Sequence, residues 1–331
     1  MAGIAAGARA ITAAAVLLLA ACASRPPLLP ALIPQPAAAL ELTDTPFFPQ
    51  TEYQCGPAAL ATVLHSADVA VTPQALVDQV YVPARQGSLQ VELLAATRRA
   101  GRVPFQIEPT LGALIAELGA GRPVLVLQNL GLGFMPVWHY AVVIGIDPAA
   151  DRVILRSGTE RRRISDAASF LRTWRLSGHW GMVVLRPGEL PAIAHEQRYL
   201  AAVALSEPLL RAAARRHAYA AALGRWPANP TARFGYAHAL HAAGELAAAE
   251  DAYRAIVADH PRHAAAYNNL AEVLLERGCN AQARAAASRA LAIATEDQPA
   301  LVAPISETLR GIPASAGGAD GCDKARAVVP G

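Results

Sequence analysis

A cysteine set directly before Gly-Pro, in the stretch FFPQTEYQCGPAALATVL (Phe47 to Leu64), has the residue types of a sulfur nucleophile at the start of a helix. Gly56 lets other backbone approach closely, Pro57 suits a first helical turn, and Ala58 to Leu64 continue as an apolar helix. At a helix N-terminus the macrodipole and free N–H groups lower a thiol pKa, and the same amides can donate to an oxyanion. Such chemistry also needs a base. Of the 9 histidines, His217, His238, His241, His260 and His263 fall in an alanine-rich helical region and His195 in the linker before it. His65 lies on the cysteine's own helix, about 15 Å away along the axis, and cannot reach. His139 opens the strand HYAVVIGID behind the Gly-rich loop GLGFMP and is well placed to border a cleft; His179, before a later strand, is the weaker alternative.

The elements that must position these residues are legible as two kinds of pattern. CGPAALATVLHSA, TPQALVDQVYV, SLQVELLAATRRAG and TLGALIAELGAG read as helices. RPVLVLQNL, HYAVVIGID, RVILRSG and HWGMVVLRP are short, β-branched and bounded by Gly, Pro or Asp, as strands are. Helices first and an antiparallel sheet afterwards predict an α+β domain over 41–190. Gly87-Ser88-Leu89 either borders the cleft or simply caps a helix through Ser88. Gln128 and Asn129 either line the cleft or end a strand, and Trp174 and Trp180 read as core. From 196 to 293 the chain is alanine-rich and helical, and Ala-Tyr at 218 and 252, Leu240 and Leu274, Ala249 and Ala283, and Gly244 and Gly278 recur with a 34-residue period. That period resembles tetratricopeptide repeats, with 230–263 the clearest unit, 264 to about 293 a second and 196–229 a degenerate first. Residues 294–331 read as a poorly ordered tail.

The start of the chain addresses its compartment. Arg9 and the apolar run Ile11 to Ala21 read as an export signal, too short to persist as a membrane span. Leu19-Ala20-Ala21-Cys22 resembles a bacterial lipobox, which implies lipidation at Cys22, a signal over 1–22 and a Pro/Ala-rich tether over 23–40. The absence of an acidic residue after Cys22 fits the periplasmic side of the outer membrane of a Gram-negative bacterium. In an oxidising compartment Cys279 and Cys322 are expected to pair, which leaves Cys55 as the unpaired thiol. The net charge is +3 over 331 residues, with Arg161-Arg162-Arg163 the one basic cluster, so nucleic acid is not an expected partner.

PQTEYQCGPAAL followed by WHYAVVIGID resembles the papain-like cysteine peptidases of the bacteriocin-processing type, which remove double-glycine leaders. The similarity covers roughly residues 44 to 187, and the combination with a lipoprotein signal and repeats resembles a group of bacterial lipoproteins. The resemblance implies a papain-like peptidase domain followed by an all-α repeat domain. It implies Cys55 as nucleophile, His139 as general base and acid, and Gln50 as side-chain oxyanion donor, with no cofactor and no metal. Gln50 stands one residue nearer the cysteine than is usual in the family; Gln54, adjacent to the nucleophile, would tend to point elsewhere. The family's third residue is an Asp. Asp147 lies too far along the histidine's own strand, at about 3.3 Å per residue, and reads as a hairpin turn with Pro148 and Asp151. Ser157 on the returning strand falls where that Asp would stand, with Thr159 and Glu160 close by, and a hydroxyl can orient an imidazole with less stabilisation of its charged form.

The expected function is hydrolysis of a peptide or protein substrate, with the repeats engaging a protein partner and lipid the contact with the membrane. The rivals are a peptide-binding scaffold without full catalysis and an acyl transferase of the same fold.

Overall fold

The computed structural model describes residues 28–32, 38–50 and 54–313. The expected export signal with Cys22, and Cys322 of the expected disulfide, lie outside them. Helix α1 (Leu28–Leu32) differs from the extended tether read from the sequence. Its first two amides, of Leu28 and Leu29, donate to Asp151 Oδ1 at 3.0 and 2.8 Å, and Leu29 is fully buried. A Pro-rich segment is docked here because a carboxylate at the helix start satisfies orphan N–H groups.

The body begins with strand β1 (Leu40–Glu41), helix α2 (Cys55–Ser66) and helix α3 (Pro73–Val80). Thr72 caps α3 by accepting the Ala75 N–H. The short hairpin β2 (Tyr81–Val82) and β3 (Gly87–Ser88) leads into α4 (Gln90–Arg99), β4 (Val103–Gln106) and α5 (Leu111–Gly119). Then come β5 (Val124–Asn129), β6 (Trp138–Asp147), β7 (Arg152–Ser157), β8 (Glu160–Asp166), α6 (Ala167–Arg175) and β9 (Gly181–Leu185). The sheet has 7 antiparallel strands in the order β4-β9-β5-β6-β7-β8, with β1 pairing β6 beyond the end of β5. The sequence reading missed β4, β8 and α6. Strand β8 is exposed on both faces, so it carries no apolar alternation to betray it.

Period-two alternation divides the sheet between two layers. Leu125, Leu127, Tyr140, Val142, Met182 and Val184 pack against Leu60 and Leu64 of α2, Leu76 of α3 and Leu93 of α4. Val124, Val126, Ala141, Val143 and Val183 face the other way, onto Leu114 and Leu118 of α5 and Phe170 and Trp174 of α6. That second layer does not end with the sheet domain. Tyr199, Leu200 and Val203 of α7 (Glu196–Ser206) and Tyr219 of α8 (Ala212–Arg225) belong to the same core as Val103 and Leu185.

The helical region continues as α9 (Pro230–Ala242), α10 (Leu246–Asp259), α11 (Ala264–Glu276) and α12 (Asn280–Asp297). Ala237, Ala249, Ala271 and Ala283 are fully buried where these helices meet, and Tyr253 fills the space between them. Gly244 and Gly278 turn the chain at φ +75° and +80°, a conformation that only glycine adopts freely. The expectation of a poorly ordered tail over 294–331 is corrected for 294–313, where α12 runs to Asp297 and α13 (Val302–Gly311) packs through buried Ile305, with Ile312 buried behind it; residues 314–331 lie outside the described residues. Apolar side chains spaced along that segment supplied a burial stripe too short to read in isolation. Cys279 is buried at the N-cap of α12. Among the described residues no helix is long and apolar enough to cross a membrane.

Candidate active site

Cys55 is the first residue of α2, and Gln54 precedes it without a side-chain cap. The helix can enter here because Gly56 sits hard against β3. A Cβ at position 56 would lie 2.2 Å from Ser88 Oγ and 2.5 Å from Ser88 Cβ. Ser88 does not cap α4, whose N-cap is Leu89; its buried hydroxyl has no hydrogen-bond partner. Tyr140 ties the parts together. Its hydroxyl donates to the Ser88 carbonyl at 3.3 Å, its own carbonyl accepts from Gln50 Nε2 at 3.4 Å, and its ring packs edge-on to Trp180 at 6.0 Å. The Gln50 amide donates to the Gly158 carbonyl at 3.0 Å, so Gln50 is pinned to the β7–β8 turn.

His139 lies at the second position of β6, one residue before Tyr140, opposite Gln128 of β5. Its Nε2 is 2.8 Å from Ser157 Oγ on β7. That contact leaves Nδ1 as the ring nitrogen available to other groups. Cys55, His139 and Gln50 line one cleft of about 760 Å³, together with Ser88 and Trp138. Gln54 is not in its lining, nor is Gln128, whose side chain donates to Thr173 Oγ1 at 2.7 Å beneath the sheet.

Electrostatics modify one expectation. The helix N-terminus was expected to lower the thiol pKa, yet burial pushes Cys55 up; hydrogen bonds from the backbone at Tyr140, Gly56 and Cys55 itself act in the opposite direction and are outweighed. Burial also drives His139 down, to about 4, with the positive charge of Arg163 adding to the effect. At neutral pH the resting site therefore holds a neutral thiol and a neutral imidazole.

The other residues singled out from the sequence lie elsewhere. His179 has φ +56° and stacks edge-on against Trp174 at 4.8 Å, outside the cleft. His65 sits beside the Phe48 ring at 5.3 Å. Asp147 Oδ1 accepts the Ala150 N–H at 3.0 Å, at the opposite end of β6 from His139. Trp174 is fully buried core. Asn129 is neither cleft lining nor a mere strand end: its side chain organises the loop that follows. Tyr140 was the residue that sequence reasoning passed over. Its place beside His139 was visible, but its reach to Ser88 depends on packing between distant segments. Among the described residues no group of three or more His, Cys, Asp or Glu could hold a metal ion.

Comparison with known proteins places this geometry in context. No curated protein matches the chain. A solved C39-like peptidase from Bacillus anthracis is similar at 16% identity over 45% of this chain and 98% of that one, with a TM-score of 0.37. The double glycine motif protease of an AMS/PCAT transporter, solved in complex with its leader peptide, is similar at 19% identity over 46% of this chain and 95% of that one, with a TM-score of 0.33. The type III secretion translocator chaperone SycD of Yersinia enterocolitica is similar at 15% identity over 35% of this chain and 81% of that one, with a TM-score of 0.33. Residues 42–182, which carry Gln50, Cys55, His139 and Ser157, match the Peptidase_C39 like family. The chain thus joins a Peptidase_C39-like domain with an antiparallel sheet to a C-terminal helical region.

Proposed function

We propose that the chain is a cysteine peptidase that hydrolyses peptide bonds in the cleft between α2 and β6. The observation that carries this reading is the convergence of the Cys55 thiol, the His139 imidazole and the Gln50 amide on one cleft, with His139 held by Ser157. His139, neutral at rest, accepts the thiol proton as Cys55 Sγ attacks the substrate carbonyl carbon. The carbonyl π electrons move to oxygen, and the oxyanion receives hydrogen bonds from the Cys55 backbone N–H and Gln50 Nε2. The imidazolium then returns its proton to the leaving amine as the C–N bond breaks. Water, deprotonated by His139, attacks the thioester, and the thiol is expelled with its proton restored. Ser157 orients the ring through Nε2, so the proton moves at Nδ1. A hydroxyl stabilises the imidazolium less than a carboxylate would.

Lipidation at Cys22 on the periplasmic side of the outer membrane, and a tetratricopeptide-like role for the helices in engaging a protein partner, complete the proposal. The recurrence of buried alanines and of glycine turns at Gly244 and Gly278 supports the repeat reading. A second reading has one observation in its favour. With Ser157 in place of a carboxylate and a neutral resting pair, the domain would hold peptide without cutting it.

A thiol-directed irreversible peptide probe separates them. Labelling is expected in the wild type, absent in Cys55→Ala and strongly reduced in His139→Ala. Unchanged labelling of His139→Ala would remove that residue from the mechanism, and an unlabelled wild type would favour the scaffold. An acyl transferase would reveal itself by an amine-capped product instead of a free acid.

A further inference from the structure

We propose that the loop joining β5 to β6, residues 130–137, together with Trp138 at the start of β6, is a docking element for an apolar stretch of an extended polypeptide leaving the cleft; this rests on the reading of the cleft as a peptide site. This element displays Leu132, Phe134, Met135, Val137 and Trp138 with 56%, 82%, 65%, 55% and 52% of their surface exposed. So dense an apolar cluster at one tip marks a binding surface.

The tip has a defined shape. Asn129, 2% exposed, accepts the N–H groups of Gly131 and Val137 at 2.9 and 2.9 Å and donates Nδ2 to the Leu132 carbonyl at 3.3 Å. Leu132 and Met135 pair across the turn, and a Cβ on Gly131 would come within 2.4 Å of the Met135 carbonyl oxygen. The amides of Leu130, Gly131, Leu132, Met135 and Val137 are satisfied within the loop and by Asn129, while the apolar side chains stay exposed. Ordering is already in place before any partner arrives.

Continuity with the cleft decides the occupant. Pro136, Val137 and Trp138 line the cleft that holds Cys55, as does Leu89, 40% exposed, from the segment after β3. Among the described residues of that lining, Arg85 is the one Arg, Lys, Asp or Glu. A chain threaded through such a cleft meets Leu89, Leu127 and Trp138 among polar groups inside it, and then the apolar tip of the loop. A bilayer, being flat, would meet only the projecting tip and leave Val137, Trp138 and Leu89 without a partner.

The test uses the full chain carrying Cys55→Ala, titrated with two short fluorescent peptides that differ only in having Leu, Val and Phe or Ser and Asn at successive positions. The apolar peptide is expected to bind about tenfold more tightly or better, and Leu132→Ser/Phe134→Ser/Met135→Ser to remove that preference. The three side chains are exposed, and a thermal melt of the triple variant checks that the fold is kept. Equal affinity for both peptides would overturn the proposal, as would a preference that survives the triple variant. Loop-dependent binding to phosphatidylethanolamine–phosphatidylglycerol vesicles without peptide preference, or loop-dependent self-association without it, would also overturn it. Because the thiol is absent from this experiment, a wild type that binds the peptide yet never cleaves it would sink the peptidase reading and leave the docking surface standing.

Discussion

Burial of His139 makes a measurable claim on the acid stability of the whole fold. Its pKa falls from the ordinary 6.5 to about 4, chiefly through burial and secondarily through Arg163. Between those two values the unfolded chain binds a proton that the native chain refuses, so stability rises with pH across that window. The contribution is fully present above pH 6.5 and is lost as pH falls toward 4. At 1.36 kcal/mol per pKa unit, the loss amounts to about 3 kcal/mol. His139→Gln keeps a polar side chain facing Ser157 but cannot titrate. Urea unfolding of wild type and variant at intervals from pH 7 to pH 4 isolates the histidine, because every other ionisable group titrates in both. The difference between the two stabilities is expected to shift by about 3 kcal/mol in the variant's favour on going from pH 7 to pH 4. Parallel profiles would refute the reasoning. A shift of opposite sign would mean that the native site holds an imidazolium, paired with a Cys55 thiolate, at neutral pH.

Other perturbations test other joints. Alkylation of Cys55 by iodoacetamide should accelerate only above the ordinary thiol value of about 8.5; a plateau reached near pH 6 would show a thiolate already formed. Gly56→Ala should destabilise by about 1–3 kcal/mol through its clash with Ser88, and adding Ser88→Gly should recover most of that loss in denaturant melts. Gly235→Ala drives a Cβ to within 2.3 Å of the buried Tyr219 ring, so a loss of about 1–3 kcal/mol is expected by the same assay. Full stability in that variant would mean that α8 and α9 are free to separate.

What was legible in the sequence is what short stretches encode on their own. The start of α2 at Cys55 and the strand carrying His139 follow from local pattern, as do the four leading helices. The elements that escaped have exposed or interrupted patterns: β8 presents Arg161, Arg162 and Arg163 to solvent, and α6 is a short helix whose apolar stripe, Phe170 and Trp174, is brief. The site's electrostatics escaped for a different reason. A helix N-terminus is a local feature and argues for an acidic thiol, whereas burial of Cys55 is produced by β3 and β6 arriving from elsewhere, and burial prevails. Asn129 illustrates the same limit. Asn-Leu-Gly marks a turn by composition, but the hydrogen bonds that let one side chain hold an apolar tip in place exist only once both strands are aligned.

The core shared by the sheet and helices α7 and α8 bears on how the molecule comes apart. Tyr199, Leu200, Val203 and Tyr219 are buried against the same layer as Val103, Leu114 and Leu185, so peeling the helices away would bare the underside of the sheet to water. Unfolding of the first two helices of the C-terminal region should therefore be thermodynamically inseparable from unfolding of the sheet, while α11 to α13, whose core is distinct, can fray first. Proteolytic nicking should accordingly advance from the C-terminal end and stall near α9. A fragment ending at residue 190 would not behave as a self-contained domain but as a truncated one with an open apolar flank.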